Sequence, residues 1–269
     1  MPPCRTIFAL LPLLLAAPLS AAPLDCVIEP RATVSLTSTE QGRIEAVLVR
    51  RGDTVSAGQP LLRLEDRVQQ LQLRMAEAKA GSEAELAAAR ARLKFREEEL
   101  ARAEALFERK AASSTAVEDK RIEVTLSQLA LDEAEAGRRR AALERELAQA
   151  MLERRVIRSP ADGIVLSVEA AAGEYATDTA EMLVLAEMDP LLVEVFVPLD
   201  YHDRIAVGDT YEVAQAAPLT GRFSARVRTV DRVFDAASGT FGVQLELPNP
   251  GAAIPAGTRC QVDFDAPGQ

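Results

Sequence analysis

Gly42-Arg43-Ile44-Glu45-Ala46-Val47-Leu48-Val49-Arg50-Arg51-Gly52-Asp53, with Leu62 and Leu64 after it, is the first of two related stretches in this chain. The second runs Gly163-Ile164-Val165, Val168, Gly173-Glu174, Leu183 and Leu185, with the same residue types at the same offsets. A repeat of that quality marks two related supersecondary units. Each reads as short strands: Ile44, Val47 and Val49 lead to the turn signal Arg51-Gly52-Asp53. Val55, Gly58-Gln59-Pro60 and Leu61 to Leu64 follow. A small β-module split in two by a long insertion points to a spacer rather than a catalyst.

The insertion, from about Glu65 to Arg155, is rich in Ala, Glu, Arg and Leu and contains no proline. Val68, Leu71, Met75, Ala78 and Ser82 recur at helical steps, and Leu86, Ala89, Leu93, Leu100, Ala103 and Phe107 continue the stripe. Gly81 is a weak point in it, costing about 1 kcal/mol relative to Ala. The pattern breaks at Lys110 to Thr115, where Ser113, Ser114 and Thr115 are all N-cap candidates and Glu118 stands three residues after Thr115, as a capping box requires. A second stripe carries Ile122, Leu126, Leu129, Ala136, Leu143, Leu147 and Ala150. Two helices of roughly 40 to 45 residues joined by a polar turn predict an antiparallel coiled-coil hairpin about 60–65 Å long. One continuous dimerising helix would waste the turn and separate the two β halves.

Arg158-Ser159-Pro160 ends the helix, because the residue before a proline disfavours the helical conformation. From Leu191 the chain alternates again. Five or six short strands with Gly and Pro punctuation, closing at Cys260 to Phe264, predict a small β-barrel.

Composition bounds the function. The chain has 269 residues, 4% aromatic and no Trp, so several small domains are expected rather than one large core. A net charge of −10 argues against nucleic acid as a partner. Arg5, the apolar stretch Ile7 to Ala17 and Ser20-Ala21-Ala22 have the layout of a cleaved secretory signal, so an exported protein is expected. Cleavage there leaves Cys26 and Cys260, which in an oxidising compartment suggest a disulfide joining the ends of the chain, or else two separate buried thiols. Two cysteines and the single His202 offer no metal-binding spacing, and no cofactor is expected. Nucleophilic catalysis would have only His202 as an imidazole base, with no nucleophile elbow.

Taken together, these motifs resemble the periplasmic adaptor subunits, or membrane fusion proteins, of bacterial tripartite efflux pumps, within the HlyD-like superfamily. The likeness covers nearly the whole mature chain and is greatest to adaptors of RND-type transporters. Its carriers are Gly42-Arg43-Ile44 with Arg51-Gly52-Asp53-Thr54-Val55, then Arg158-Ser159-Pro160-Ala161-Asp162-Gly163-Ile164-Val165. Met188-Asp189-Pro190-Leu191, Val195-Phe196-Val197-Pro198, Val230-Asp231, Ser238-Gly239-Thr240-Phe241, Pro248-Asn249-Pro250 and Pro255-Ala256-Gly257 follow in family order.

The resemblance implies an α+β fold, mostly β, with a coiled-coil hairpin, a split lipoyl-like (barrel-sandwich hybrid) domain and a small β-barrel. The expected order is a signal peptide over 1–22, an N-terminal strand joining the barrel over 23–40 and the first lipoyl-like half over 41–65. The hairpin takes 66–155, the second half 156–188 and the barrel 189–269, with no evident membrane-proximal domain after it. Gly42, Gly52, Asp53, Pro160, Gly163 and Gly173 would form the lipoyl-like turns.

In that family the hairpin tip is said to bind a TolC-like outer-membrane channel through an arginine, a leucine four residues on and a serine seven further. Arg102, Leu106 and Ser113 stand at those intervals. The partners implied are this channel, an inner-membrane transporter and further copies of the chain in a ring, located in the periplasm. A lipoate- or biotin-carrying enzyme is disfavoured, since no Lys lies between Val156 and Gln269. An adaptor for an ABC-type or other secretion system, or a coiled-coil scaffold without an efflux role, is the alternative.

Overall fold

A computed structural model describes residues 23–267; the signal-peptide reading lies outside them. The chain divides into two compact units, one made of residues up to Thr33 together with Ala186 onwards, the other of Val34–Leu185.

The first unit is a closed six-stranded barrel. Its strands are β1 (Leu24–Glu29), β10 (Leu191–Pro198), β11 (Thr210–Gln215), β12 (Arg222–Val230), β13 (Thr240–Leu247) and β14 (Thr258–Pro267). They follow one another around the wall as β1-β10-β13-β12-β11-β14, and β14 pairs back onto β1. β13 shows why this sequence makes a barrel wall. Phe241, Val243, Leu245 and Leu247 are buried while the residues between them are not, the period-two signature of a strand with one apolar face. Across β1 and β14, Cys26 stands directly opposite Cys260, and a disulfide joins them. Closure leaves no free sheet edge.

Below the end of β13 the buried Asn249 holds a corner together. Its amide donates to the carbonyls of Met188 (2.9 Å) and Ile254 (3.0 Å), and its carbonyl accepts from the Ile254 N–H (2.8 Å). A buried side-chain amide is tolerable only when paired in this way.

The second unit carries two four-stranded sheets and the helices. Its strands are β2 (Ala32–Thr37), β3 (Gly42–Val47), β4 (Thr54–Val55), β5 (Pro60–Leu64), β6 (Val156–Arg158), β7 (Gly163–Val168), β8 (Tyr175–Ala176) and β9 (Glu181–Glu187). The sheets run β2-β9-β7-β4 and β6-β5-β3-β8. Each position in one is filled by the repeat counterpart of the strand in the other: β2 answers to β6, β9 to β5, β7 to β3 and β4 to β8. The sequence repeat is therefore a near-twofold in space, with each half lending strands to both sheets.

Between the halves the backbone bonds are reciprocal. Gly52 N–H donates to the Val165 carbonyl and Gly173 N–H to that of Ile44, both at 2.8 Å. In return Val165 N–H donates to Asp53 (3.0 Å) and Ile44 N–H to Glu174 (2.8 Å). Gly52 and Gly173 sit at φ +90° and +95°, where a side chain would be strained, which explains glycine at both. The acid after each glycine ties its own turn, Asp53 accepting from the Arg50 N–H (2.8 Å) and Glu174 from the Ala171 N–H (3.0 Å).

The apolar core of this module is built from counterparts as well. Ile44 with Val165, Val55 with Ala176, Leu62 with Leu183 and Leu64 with Leu185 are all buried in one cluster. Ser38 and Ser159, both buried, complete the likeness: each hydroxyl donates to a carbonyl two residues on, Glu40 and Ala161 respectively. Pro160 follows Ser159 directly. Gly163 opens β7 opposite Val55, and Gly42 opens β3 where a Cβ would come within 2.8 Å of the Arg155 guanidinium.

Two expectations are corrected. Residues 23–40 are not one strand of the barrel. The run splits at Pro30, which has no N–H for the ladder, and only β1 joins the barrel. β2 is the missing first strand of the module, so the first half begins before residue 41.

The first hairpin limb is also not one helix. It is α1 (Arg67–Ala80) and α2 (Ala84–Glu108), interrupted at Gly81-Ser82-Glu83, and both pack against the 40-residue α3 (Ser114–Glu153). Ion pairs from Lys79 to Glu144 (2.6 Å) and from Arg138 to Glu83 (4.0 Å) span the limbs at this break.

Candidate functional site: the hairpin tip

Arg102 and Leu106 share one face of α2, since residues four apart on a helix are neighbours, and Arg109 just beyond the helix continues the line. All three are exposed, Leu106 to 47% and the adjoining Phe107 to the same extent. The helix stops in a Schellman turn. Lys110 N–H donates to the Phe107 carbonyl (2.8 Å) and Ala111 N–H to that of Leu106 (2.9 Å), while Lys110 itself takes φ +59°. For a lysine that left-handed conformation costs about 1 kcal/mol, which glycine would not incur.

Ser113 is the N-cap of α3. Its hydroxyl oxygen accepts from the Ala116 N–H (3.2 Å), leaving its own O–H free to donate outward. The Thr115–Glu118 capping box is not formed. With the cap at Ser113, Thr115 already lies inside the first turn, and Glu118 turns to Arg121 (3.9 Å). The sequence therefore brings Arg102, Leu106 and Ser113 to one end of the hairpin, on two helices joined by a five-residue connection. Below them Arg121 also takes Glu104 (3.1 Å) across the limbs. Further down, Arg96 bonds both Glu99 (2.6 Å) and Glu123 (2.8 Å). The Arg96 hydrogen bond holds the Glu99 carboxyl below its ordinary pKa, outweighing desolvation.

The stripe of large aliphatic residues on α3 is not the intramolecular seam. The side chains buried on α3 are Val117, Ser127, Ala141 and Ala148, and those buried on α2 are Leu86, Ala89 and Leu93. Most of what α3 buries is small, while α2 contributes two leucines. Ile122, Leu126, Leu129, Leu143 and Leu147 are left exposed, at successive steps of four, three, fourteen and four residues that keep to one helical stripe. Sequence periodicity found the stripe without telling this exposed face from the face buried within the hairpin.

Sequence reasoning also missed Phe107 as an exposed tip residue, having placed it in the stripe, and missed Lys110. Neither positive φ nor exposure at a helix end is marked by residue type. His202, the single histidine, packs edge-on against Phe234 and Phe241, with ring centroids at 4.9 and 5.3 Å.

Comparison with known proteins fits this architecture. Residues 34–185 match the family model described as YknX, barrel-sandwich hybrid domain, and residues 191–268 that of a CusB-like β-barrel domain. Among solved structures, MacA from Actinobacillus actinomycetemcomitans superposes with a TM-score of 0.73 at 18% identity, covering 90% of this chain and 76% of that one. The membrane fusion protein Spr0693 from Streptococcus pneumoniae gives 0.61 at 15% identity, over 90% and 97% of the two chains. An uncharacterized protein of Haemophilus influenzae is 24% identical over 232 residues, 86% of this chain. The chain spans about half (54%) of that relative's length. With a split barrel-sandwich module, an inserted helical hairpin and a β-barrel in family order, the chain belongs to the membrane fusion proteins, the periplasmic adaptor family of efflux systems.

Proposed function

We propose that this protein is a non-enzymatic periplasmic adaptor, exported by a cleaved signal peptide. It links an inner-membrane transporter, of the RND type, to a TolC-like outer-membrane channel. The hairpin tip is the channel contact: Leu106 supplies an apolar knob, while Arg102 and Ser113 donate hydrogen bonds to the facing helix ends. The observation that carries this reading is that the hairpin leaves a set of large aliphatic side chains outward, Leu106 at the tip and Ile122, Leu126, Leu129, Leu143 and Leu147 along α3, where a free-standing spacer would have no use for them. The α3 stripe supports self-association in a ring, since its spacing suits a further helix. The transporter does the work; the adaptor transmits its movement and seals the conduit.

Photo-crosslinking in cells from position 106 tests the reading. An outer-membrane channel in the adduct is the expected result. Self-crosslinks alone, with normal export, would overturn it. Leu106→Asp or Ser113→Arg should abolish assembly of the pump while leaving the purified chain folded.

A further inference from the structure

The tip contains a cost that the fold does not explain. Lys110 occupies the left-handed position that closes α2, a position where glycine is the unstrained choice, and its side chain meets no carboxylate among the described residues. Strain retained at a turn points to a use for the side chain. The surroundings indicate what that use is. Glu104 and Glu118 are both engaged by Arg121, whereas Arg102, Arg109 and Lys110 make no ion pair among the described residues. Glu108 and Asp119 are likewise without an ion pair among the described residues, so the tip presents three unpaired cations beside two unpaired carboxylates. Beside these cations Leu106 and Phe107 project as an adjacent pair, each about half exposed.

Resting on the reading of the tip as a channel contact, we infer that Lys110 and Phe107 are specificity-determining contacts, and that the partner presents carboxylates around an apolar recess. Phe107 widens the knob of Leu106, so the recess must admit an aromatic ring. Lys110, held clear of the helix by its left-handed backbone, places an ammonium beyond the last turn, where it meets an acidic rim. Arg102 and Arg109 line the same approach from the α2 side. An ammonium and two guanidinium groups facing carboxylates also steer association, and salt weakens such steering.

Lys110→Gly separates a binding role from a structural one, because the two predict opposite signs. In the full chain it should raise the thermal unfolding midpoint or leave it unchanged, since the strain is relieved. Affinity for the purified channel captured at position 106 should fall about tenfold, the size expected for one charge-assisted bond. Lys110→Arg should retain most of the affinity. Phe107→Ala should weaken binding by a similar factor without lowering the midpoint. Raising salt from about 0.1 to about 0.5 M should weaken the unaltered chain more than Lys110→Gly. Unchanged affinity in Lys110→Gly and Phe107→Ala, with the unaltered chain binding normally, overturns this inference alone. If the unaltered chain captures no channel, the channel-contact reading falls and this inference with it.

Discussion

In the barrel-sandwich module Leu62 and Leu183 are fully buried against each other's halves, whereas on α3 Leu126 and Leu143 stand 60% and 65% exposed. Both regions are rich in aliphatic residues at regular spacing. The module uses them on itself, burying counterparts from both halves in one cluster. On α3 the hairpin buries Val117, Ser127, Ala141 and Ala148 and directs its leucines outward. Regular apolar spacing thus marks an apolar face, without saying whether the same chain covers it. The cover can come from the same chain or from another.

Three measurements sharpen or break that contrast. Leu62→Ala and Leu183→Ala should each destabilise the chain by about 2–5 kcal/mol in urea unfolding, and by similar amounts, because they fill equivalent places. A cost below about 1 kcal/mol for either one would break the near-twofold as an energetic statement. Ser113→Ala should remove about 1 kcal/mol from the hairpin by uncapping α3, and Ser113→Asp should restore it, as followed by helical circular dichroism on heating. No difference between the two variants would mean that the cap is idle. Leu126→Ser should change the stability of the monomer by less than about 0.5 kcal/mol while weakening self-association in sedimentation. A loss above about 2 kcal/mol would show that the stripe is already buried within one chain.

Much of this was legible beforehand. The two Gly-to-Leu stretches announced the split module, because a turn that needs positive φ and an acid to tie it admits few residue types. Ser38 and Ser159 were equally readable, each four residues before the opening glycine, but a motif begun at the glycine leaves them out. Pro30 carried the division of the first strand in plain view. The break at Gly81-Ser82-Glu83 was harder, since a single glycine costs a helix only about 1 kcal/mol and packing against α3 decides the outcome. The exposed face of α3 was beyond a reading of period, since one helix can hold two seams and periodicity does not say which is internal. At the tip, Arg102, Leu106 and Ser113 came from the resemblance to the adaptor family, whereas Lys110 and Phe107 needed the backbone angle and the exposure.

The hairpin is rooted in two adjacent antiparallel strands, β5 leading out and β6 leading back, with Leu64 N–H bonded to the Arg155 carbonyl at 2.8 Å where they meet the helices. This joint has a mechanical grain. If one limb slides along the other, the β5–β6 ladder is pulled lengthwise, and its bonds share the load. If the limbs are prised apart, the bonds at the root take the force one after another and yield in sequence. The hairpin is therefore stiff against sliding and compliant against spreading, like a pair of tongs riveted at one end.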